Sequence, residues 1–158
     1  DQYDHVCLII KKGQEIDLFE SNSDEIETIL NKKSGVYGVS RVSMDFRAIE
    51  FEALVGGTHA KLSLDIFCYL IAGYMMKCAV AMGGIDVLTF TAGVGEKSPY
   101  CRENICKNLE FMGAKLDLTK NEVKGEEAII SKDDSSIKIC VVPTNEELMI
   151  ARETLKLI

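Results

Sequence analysis

The stretch IDVLTFTAGVGEKSPYCRENIC, residues 85–106, decides the fold class. Its apolar run from Ile85 to Phe90 predicts a strand that is buried on both faces, as strands of parallel sheets are. The Ser98-Pro99 pair is a typical start of a helix, which we expect to end at Gly113. A second apolar run, IKICVVP at residues 137–143, predicts another buried strand, and Thr144 begins the terminal helix after it. Strand, glycine loop, helix, strand and helix in this order predict an α/β fold.

Most of the remaining chain is predicted to be helical. Two lysines and a glycine at residues 11–13 close a short first helix, and Ser23 caps a second one that runs to about Asn31. The glycine-containing segment at residues 32–44 predicts a turn that leads into a short extended piece. We expect three further elements: a helix from Asp45 through Leu54, a long and largely buried helix from Thr58 to Gly83, and a short strand at Ala128 to Ser131.

The composition is that of one ordinary globular domain: 158 residues, of which 47% are apolar and 27% are charged. Lysine and arginine number 18 against 25 aspartates and glutamates, so the net charge is −7. That field repels a nucleic acid backbone and an anionic bilayer, and we expect neither as a partner. The longest run without a charged residue, Ile66 to Met76, is about half of what a membrane-spanning helix requires, which predicts a buried core helix.

Six cysteines are scattered among apolar residues without any CxxC spacing, which indicates a reducing, cytoplasmic environment. Cys101 and Cys106 lie closest together in the sequence. Five residues along a helix turn two side chains about 140° apart, which disfavours a zinc site there. The sequence begins at Asp1 rather than at Met, so we expect the chain to be part of a longer protein.

The segment FTAGVGE, residues 90–96, carries the clearest chemical signal. Gly93 and Gly95 follow a predicted buried strand and precede a helix. Open α/β folds bind nucleotides at this carboxyl edge of the sheet, and the amides at a helix start favour anions. The same glycines also suit a tight turn that needs positive φ angles. The spacing alone leaves both interpretations open, because a third glycine and the lysine of a P-loop are missing.

Two other segments carry charged side chains at helix starts. Glu146 and Glu147 follow the second strand at the same edge of the sheet as the glycine loop, and acids there either complement the helix dipole or hold a metal ion. Magnesium needs only one or two carboxylates besides substrate phosphates, so Glu146 alone is sufficient. Asp45 and Arg47 are explained either by a helix cap beside a surface cation, or by an acid that accepts from a ribose and an arginine that stacks on a base.

Taken together and in this order, these segments resemble the carboxyl-terminal domain of the acetate kinase family. FTAGVGEKSP at residues 90–99 and PTNEELMIARET at residues 143–154 match family signatures almost residue for residue, and SGVYGVSRVSMDFR at residues 34–47 is a third match. The resemblance extends from about Asn31 to Thr154. It implies an RNase H-like domain of the actin-like ATPase superfamily of acetate and sugar kinases. It also implies that residues 1–158 form one carboxyl-terminal nucleotide-binding domain.

The resemblance further implies a reaction and the residues that serve it. The reaction is reversible phosphoryl transfer between ATP and acetate, which gives acetyl phosphate and ADP, with Mg²⁺ or Mn²⁺ as cofactor. The small residues of the glycine loop leave room for adenosine and favour ATP or ADP over pyrophosphate. By this resemblance the nucleotide contacts are Asp45, Phe46, Arg47, Ala92, Gly93, Val94, Gly95 and Glu96, and the metal ligand is Glu146.

Other family residues match nothing in this sequence: the amino-terminal phosphate-binding stretch, the catalytic aspartate, and the transition-state arginines and histidine. The resemblance therefore implies that the catalytic residues and the acetate contacts belong to an amino-terminal domain outside this chain, and that the chain alone is inactive. It also implies a homodimer. Two alternatives stay open: a propionate kinase, which shares these motifs, and a non-catalytic nucleotide-binding or interaction module.

Overall fold

The computed structural model describes residues 23–157. The short helix predicted to close at residues 11–13 lies outside the described residues. The chain divides into two compact units between Phe67 and Cys68. The division falls inside one long helix, which runs without interruption through both sides of it.

The first unit is helical in its described part. Helix α1 spans Ser23–Thr28 and continues as a π-helical turn, Ile29–Lys33. Helix α2 spans Gly35–Ser40, and helix α3 spans Phe46–Leu54. Asp45 caps α3, because its carboxylate accepts a hydrogen bond from the main-chain N–H of Arg47 at 2.9 Å. This confirms the helix predicted from Asp45 through Leu54.

Helix α2 corrects the prediction of a turn and an extended piece at residues 32–44. Two half-buried valines, Val36 and Val39, are three residues apart, which is helical spacing, whereas strand side chains alternate with a period of two. Gly35, with φ 62°, leads into the helix, and Arg41, with φ 60°, ends it in the left-handed region. Gly35 therefore stands at the start of the helix and Gly38 is buried within it, and neither forms a loop.

Helix α4 spans Thr58–Met82 and is the longest element of the described chain. It ends as predicted at Gly83 and Gly84, which have φ angles of 76° and 150°. The prediction that α4 is largely buried is wrong for this chain. Its buried positions form one narrow face at helical spacing, and the remaining apolar residues are half-buried or exposed. The buried face consists of Ala60, Ser63, Leu64, Cys68, Ala72 and Ala79.

Length and composition alone would allow α4 to cross a membrane. The helix has 25 residues and is therefore longer than the uncharged run within it from which its burial was predicted. Three charged side chains interrupt its surface: Lys61, Asp65 and Lys77. Lys61 and Asp65 form an ion pair of 2.7 Å one helical turn apart. The narrow buried face and this charge pattern are typical of a helix that packs against protein on one side.

The second unit contains a three-stranded sheet. Strand β1 spans Val87–Phe90, β2 spans Ala128–Ile129, and β3 spans Lys138–Val141. Their order in the sheet is β1-β3-β2, with β1 parallel and β2 antiparallel to β3. The two predicted apolar strands are thus confirmed as parallel neighbours, and the predicted short strand is confirmed as β2.

The prediction that the first strand is buried on both faces is wrong. Along β1 the burial alternates, with Leu88 and Phe90 buried and Val87 about half exposed at 52%. β1 lies at an edge of the sheet, and within the described residues only the face that carries Leu88 and Phe90 is covered. The buried side chains of the two parallel strands, Leu88, Phe90, Ile139 and Val141, form the centre of this unit's core.

Three helices accompany the sheet: α5 spans Ala92–Lys97, α6 spans Pro99–Lys107, and α7 spans Glu146–Leu155. Ser98 caps α6 as predicted, accepting a hydrogen bond from the Cys101 N–H at 3.0 Å. The helix ends at Lys107 rather than at the predicted Gly113. A 3₁₀ turn, Glu110–Met112, fills the interval, and Gly113 then adopts a φ of 93°.

Candidate functional site

The carboxyl ends of β1 and β3 meet at one edge of the sheet. Phe90 pairs with Val141 in the parallel ladder, and the Val142 N–H donates to the Phe90 carbonyl at 2.9 Å just beyond it. The segment that leaves β1 and the segment that leaves β3 therefore begin side by side. This confirms the predicted meeting of the two strand-to-helix junctions, which is the usual position of a ligand site in open α/β folds.

The first junction is the glycine loop, residues 91–97, and its glycines do not serve to provide positive φ angles. The left-handed residue is Ala92, with φ 57°, whereas Gly93 and Gly95 lie within helix α5 outside that region. A Cβ atom on Gly93 would meet nothing within 4 Å. A Cβ on Gly95 would make ordinary contacts of 3.4–3.6 Å with Phe90. The tight-turn interpretation of these glycines is thus wrong.

The two glycines are unfavourable for the helix that contains them. A glycine inside a helix costs about 0.5–1 kcal/mol relative to alanine, and α5 carries two of them in six residues. Neither the backbone conformation nor the packing within this chain requires a missing side chain at Gly93. The surface above Gly93 is exposed and open. Such a surface is suited to the close approach of a flat ligand.

The side chain of Arg102 fixes the main chain of the glycine loop by hydrogen bonds. This side chain is fully buried, and its guanidinium donates to the carbonyls of Gly95 at 2.8 Å and Glu96 at 3.0 Å. The Gly95 carbonyl needs this donor, because the residue four positions on is Pro99, which has no N–H. Burial lowers the pKa of Arg102. The guanidinium thus replaces a helical hydrogen bond that the sequence cannot make.

The same guanidinium also ties a distant loop to this position. It donates to the side chain of Asn121 at 2.8 Å and to the carbonyl of Val123 at 2.7 Å. Asn121 is itself buried and donates to the Pro99 carbonyl at 2.9 Å. Sequence reasoning missed Arg102 and Asn121, since their partners are up to 22 residues away and no local pattern marks them.

Glu96 connects the two junctions directly. Its carboxylate accepts hydrogen bonds from the main-chain N–H of Thr144 at 2.8 Å and from the Thr144 hydroxyl at 3.1 Å. These bonds, the main-chain one above all, hold the pKa of Glu96 below its usual range. The side chain is buried, with 7% of the residue exposed. Its carboxylate is therefore engaged within the protein, which the sequence did not predict.

The second junction presents the predicted metal ligand. Asn145 caps α7, accepting from the Leu148 N–H at 3.0 Å, so the helix starts one residue later than the predicted Thr144 cap. Glu146 and Glu147 occupy the first turn and are exposed. Within residues 23–157 no group of three or more metal-ligating side chains is present. One exposed carboxylate at the sheet edge fits magnesium, which takes its other ligands from phosphate and water.

The predicted nucleotide contacts Asp45 and Arg47 lie in the first unit. Arg47 donates to both carboxylate oxygens of Asp45, with an ion-pair distance of 2.6 Å, and its side chain is 91% exposed. The two side chains thus form a helix cap and a forked ion pair at the surface. The ion pair lowers the pKa of Asp45. The Phe46 ring packs edge to face on Phe67, with 4.6 Å between centroids.

A sheet edge that joins an open glycine loop to an exposed carboxylate is typical of α/β proteins that bind phosphorylated ligands. The family model described as "Acetokinase family" matches residues 16–152. The chain belongs to this family.

The relatives and the structural neighbours agree with this assignment. The acetate kinase of Carboxydothermus hydrogenoformans is 57% identical over 134 residues, which are 85% of this chain and 33% of that enzyme. The crystal structure of Porphyromonas gingivalis acetate kinase matches with a TM-score of 0.79 at 45% identity, covering 86% of this chain and 34% of that one. A propionate kinase from Francisella tularensis subsp. tularensis SCHU S4 matches with a TM-score of 0.78 at 35% identity, covering 87% and 35%. The chain spans about a third of the length of the curated relatives it matches.

Proposed function

We propose that this chain is the nucleotide- and magnesium-binding part of an acetate kinase, which transfers a phosphoryl group reversibly between ATP and acetate. The proposal places residues 1–158 in a carboxyl-terminal, RNase H-like domain of the actin-like ATPase superfamily. Membership of the acetokinase family supports it. A cytoplasmic homodimer, with acetate bound through residues outside this chain, completes the proposal.

The observation that carries the proposal is the glycine loop. Gly93 leaves an open surface at the carboxyl edge of the sheet, although an alanine there would stabilise α5 and would meet no steric obstacle. We propose that adenosine lies on this surface, against Ala92 to Gly95 and the main chain of Glu96. The Glu96 carboxylate is assigned no nucleotide contact, since it is bonded to Thr144. Asp45, Phe46 and Arg47 are proposed as further nucleotide contacts by the family resemblance.

The proposed magnesium ligand is Glu146. Bound magnesium neutralises phosphate charge, which is the chemistry that the metal supplies in phosphoryl transfer. The chain's own residues position and orient: the loop supports the nucleoside, and the first turn of α7 presents a carboxylate at the adjacent strand end. This division of labour fits a reaction in which positioning and charge stabilisation supply most of the rate.

Calorimetric titration with ADP, with and without Mg²⁺, tests the proposal on three chains: the wild type, Gly93→Gln and Gly73→Gln. Gly73 is the matched control, because it is also a helical glycine without positive φ, and a Cβ there also meets nothing within 4 Å. Both substitutions favour the helix, by up to about 1 kcal/mol, so neither should unfold the chain.

We expect saturable binding to the wild type and to Gly73→Gln, and at least about a tenfold loss for Gly93→Gln, which corresponds to about 1.4 kcal/mol. Gly95→Gln should lose affinity in the same way. Equal affinity of all chains would contradict the proposed loop site. A folded wild type that binds no ADP would contradict nucleotide binding by this chain.

The specific alternative is a propionate kinase. It is favoured by the Francisella tularensis neighbour, whose TM-score of 0.78 is close to the 0.79 of the acetate kinase. The proposed acyl pocket lies outside this chain, so the two functions share the same site here. Comparing acetate and propionate as phosphoryl acceptors for the longer protein separates them.

A further inference from the structure

Both the main-chain carbonyl and the side-chain carboxylate of Glu96 accept hydrogen bonds from other parts of the chain. Its carbonyl accepts from the Arg102 guanidinium at 3.0 Å and from the Gly125 N–H at 3.1 Å. Its carboxylate reaches the opposite way, to Thr144. One residue therefore links the glycine loop to the junction after β3.

The target of this link is the segment that leads into α7. Thr144 stands two residues before Glu146, with only the cap residue Asn145 between them. Of the residues in this segment, Thr144 contributes both its main-chain N–H and its hydroxyl to the same carboxylate oxygen. Two bonds to one oxygen fix both the position and the rotation of Thr144, and with it the direction in which the chain enters α7.

We propose that Glu96 is a positioning residue that fixes Glu146 relative to the glycine loop. The inference rests on the proposed function, in which the loop holds the nucleotide and Glu146 holds magnesium. Groups that hydrogen-bond directly to a metal ligand contribute about 10- to 100-fold to metal affinity, and we expect Glu96, which acts through Thr144, to reach the lower end of this range. The role predicted for Glu96 is therefore to couple metal binding to nucleotide binding, without touching either ligand through its carboxylate.

Two variants and one control separate this role from a general effect on folding. Glu96→Ala removes both bonds to Thr144. Thr144→Val removes only the hydroxyl bond and keeps the main-chain bond, at a residue that is itself exposed. Glu103→Ala is the matched control, because Glu103 is a carboxylate of the same unit that forms an ion pair with Lys107 of the same helix, at 2.7 Å.

The first readout needs neither ADP nor metal. Hydrogen exchange of the Thr144 amide should accelerate by at least about tenfold in Glu96→Ala, since this amide loses its acceptor. It should stay unchanged in Glu103→Ala. An unchanged rate in Glu96→Ala would overturn the proposed link.

The second readout is the factor by which Mg²⁺ raises the affinity for ADP. We expect this factor to fall by at least about tenfold in Glu96→Ala and by about threefold in Thr144→Val. In a chain that already carries Glu146→Gln, Glu96→Ala should have no further effect on the Mg²⁺ factor, because the residue it positions is gone.

The outcomes distinguish the two proposals. A wild type that binds no ADP overturns the proposed function and this inference with it. A wild type that binds ADP, beside a Glu96→Ala chain with an unchanged Mg²⁺ factor, overturns the inference alone. Equal losses with and without metal would show that Glu96 only shapes the loop, which also overturns it. Should Glu96→Ala fail to fold, Thr144→Val decides by the same criteria.

Discussion

Replacing Arg102 by methionine tests whether a buried guanidinium, rather than apolar packing, holds the glycine loop in place. Arg102 is fully buried and donates only to neutral oxygens. Methionine is also long and unbranched, so it fills much of the same space without donating a hydrogen bond. The substitution therefore removes the donors and leaves the acceptors buried.

The magnitude follows from the acceptors that lose their donor. The Glu96 carbonyl keeps its bond from Gly125, but the carbonyls of Gly95, Asn121 and Val123 and the side-chain oxygen of Asn121 lose the guanidinium. Each buried acceptor without a partner costs at least about 1 kcal/mol, so we expect a loss of about 4 kcal/mol from these four. For a chain of this size that lowers the melting temperature by about 8–16 °C.

Thermal unfolding followed by circular dichroism measures this change. The matched control is Arg152→Met, since Arg152 is exposed on α7 and should shift stability by less than about 0.5 kcal/mol. Arg102→Lys should fall between the wild type and Arg102→Met, because an ammonium group supplies fewer and less directed donors. An Arg102→Met chain that melts together with the wild type would refute the assignment of loop stability to the guanidinium.

Three further predictions concern the second unit. Ser98→Ala removes the cap of α6 and should cost about 1 kcal/mol in thermal melts, whereas an unchanged melting temperature would contradict the capping role. The main-chain N–H groups of Lys120 and Thr119 donate to the Asp117 carboxylate and lower its pKa. The stability that this carboxylate contributes to the fold is therefore fully present above its ordinary pKa and is lost as the pH falls through the lowered pKa. The difference in melting temperature between the wild type and Asp117→Ala should therefore be constant near neutral pH and shrink below about pH 4, and a difference that persists in acid would contradict this. Burial raises the pKa of the Cys106 thiol to about 12. Iodoacetamide near neutral pH should therefore label the exposed Cys78 before Cys106, which mass spectrometry would detect. Equal labelling of these two cysteines would contradict the burial of Cys106.

The elements that the sequence predicted correctly are those set by local chemistry. The two parallel strands are apolar runs closed by a glycine loop and by Pro143, and the start of α3 follows from a cap at Asp45. In each case the residues that determine the structure are within a few positions of it. The same holds for α6, whose Ser98 cap and Pro99 are adjacent in the chain.

The features that the sequence did not predict depend on contacts between distant residues. Arg102 resembles a surface residue of α6 in the sequence, and only the fold brings it to acceptors that lie 6 to 21 residues away. The link from Glu96 to Thr144 spans 48 residues. The prediction of burial was wrong for β1 and α4 for a related reason. An apolar run in the sequence does not show whether other parts of the chain pack on one face of the element or on several.

The site was predicted in part. Its two junctions at one sheet edge followed from the order of strand, loop and helix, and the parallel pairing of β1 with β3 confirms them. The reason for the glycines was open in the sequence, since a tight turn and a ligand surface use the same residues. The φ angles decide against the turn, because Ala92 and not Gly93 or Gly95 is left-handed.

The measurement that tests the central claim most directly is an ADP titration, with Mg²⁺, followed by the amide resonances of the glycines in ¹⁵N-labelled protein. We predict saturable shifts of Gly93 and Gly95, while Gly73 on α4 and Gly113 at the end of the 3₁₀ turn stay in place. Shifts that spare Gly93 and Gly95, or no shift at any ADP concentration in a folded sample, would contradict the account.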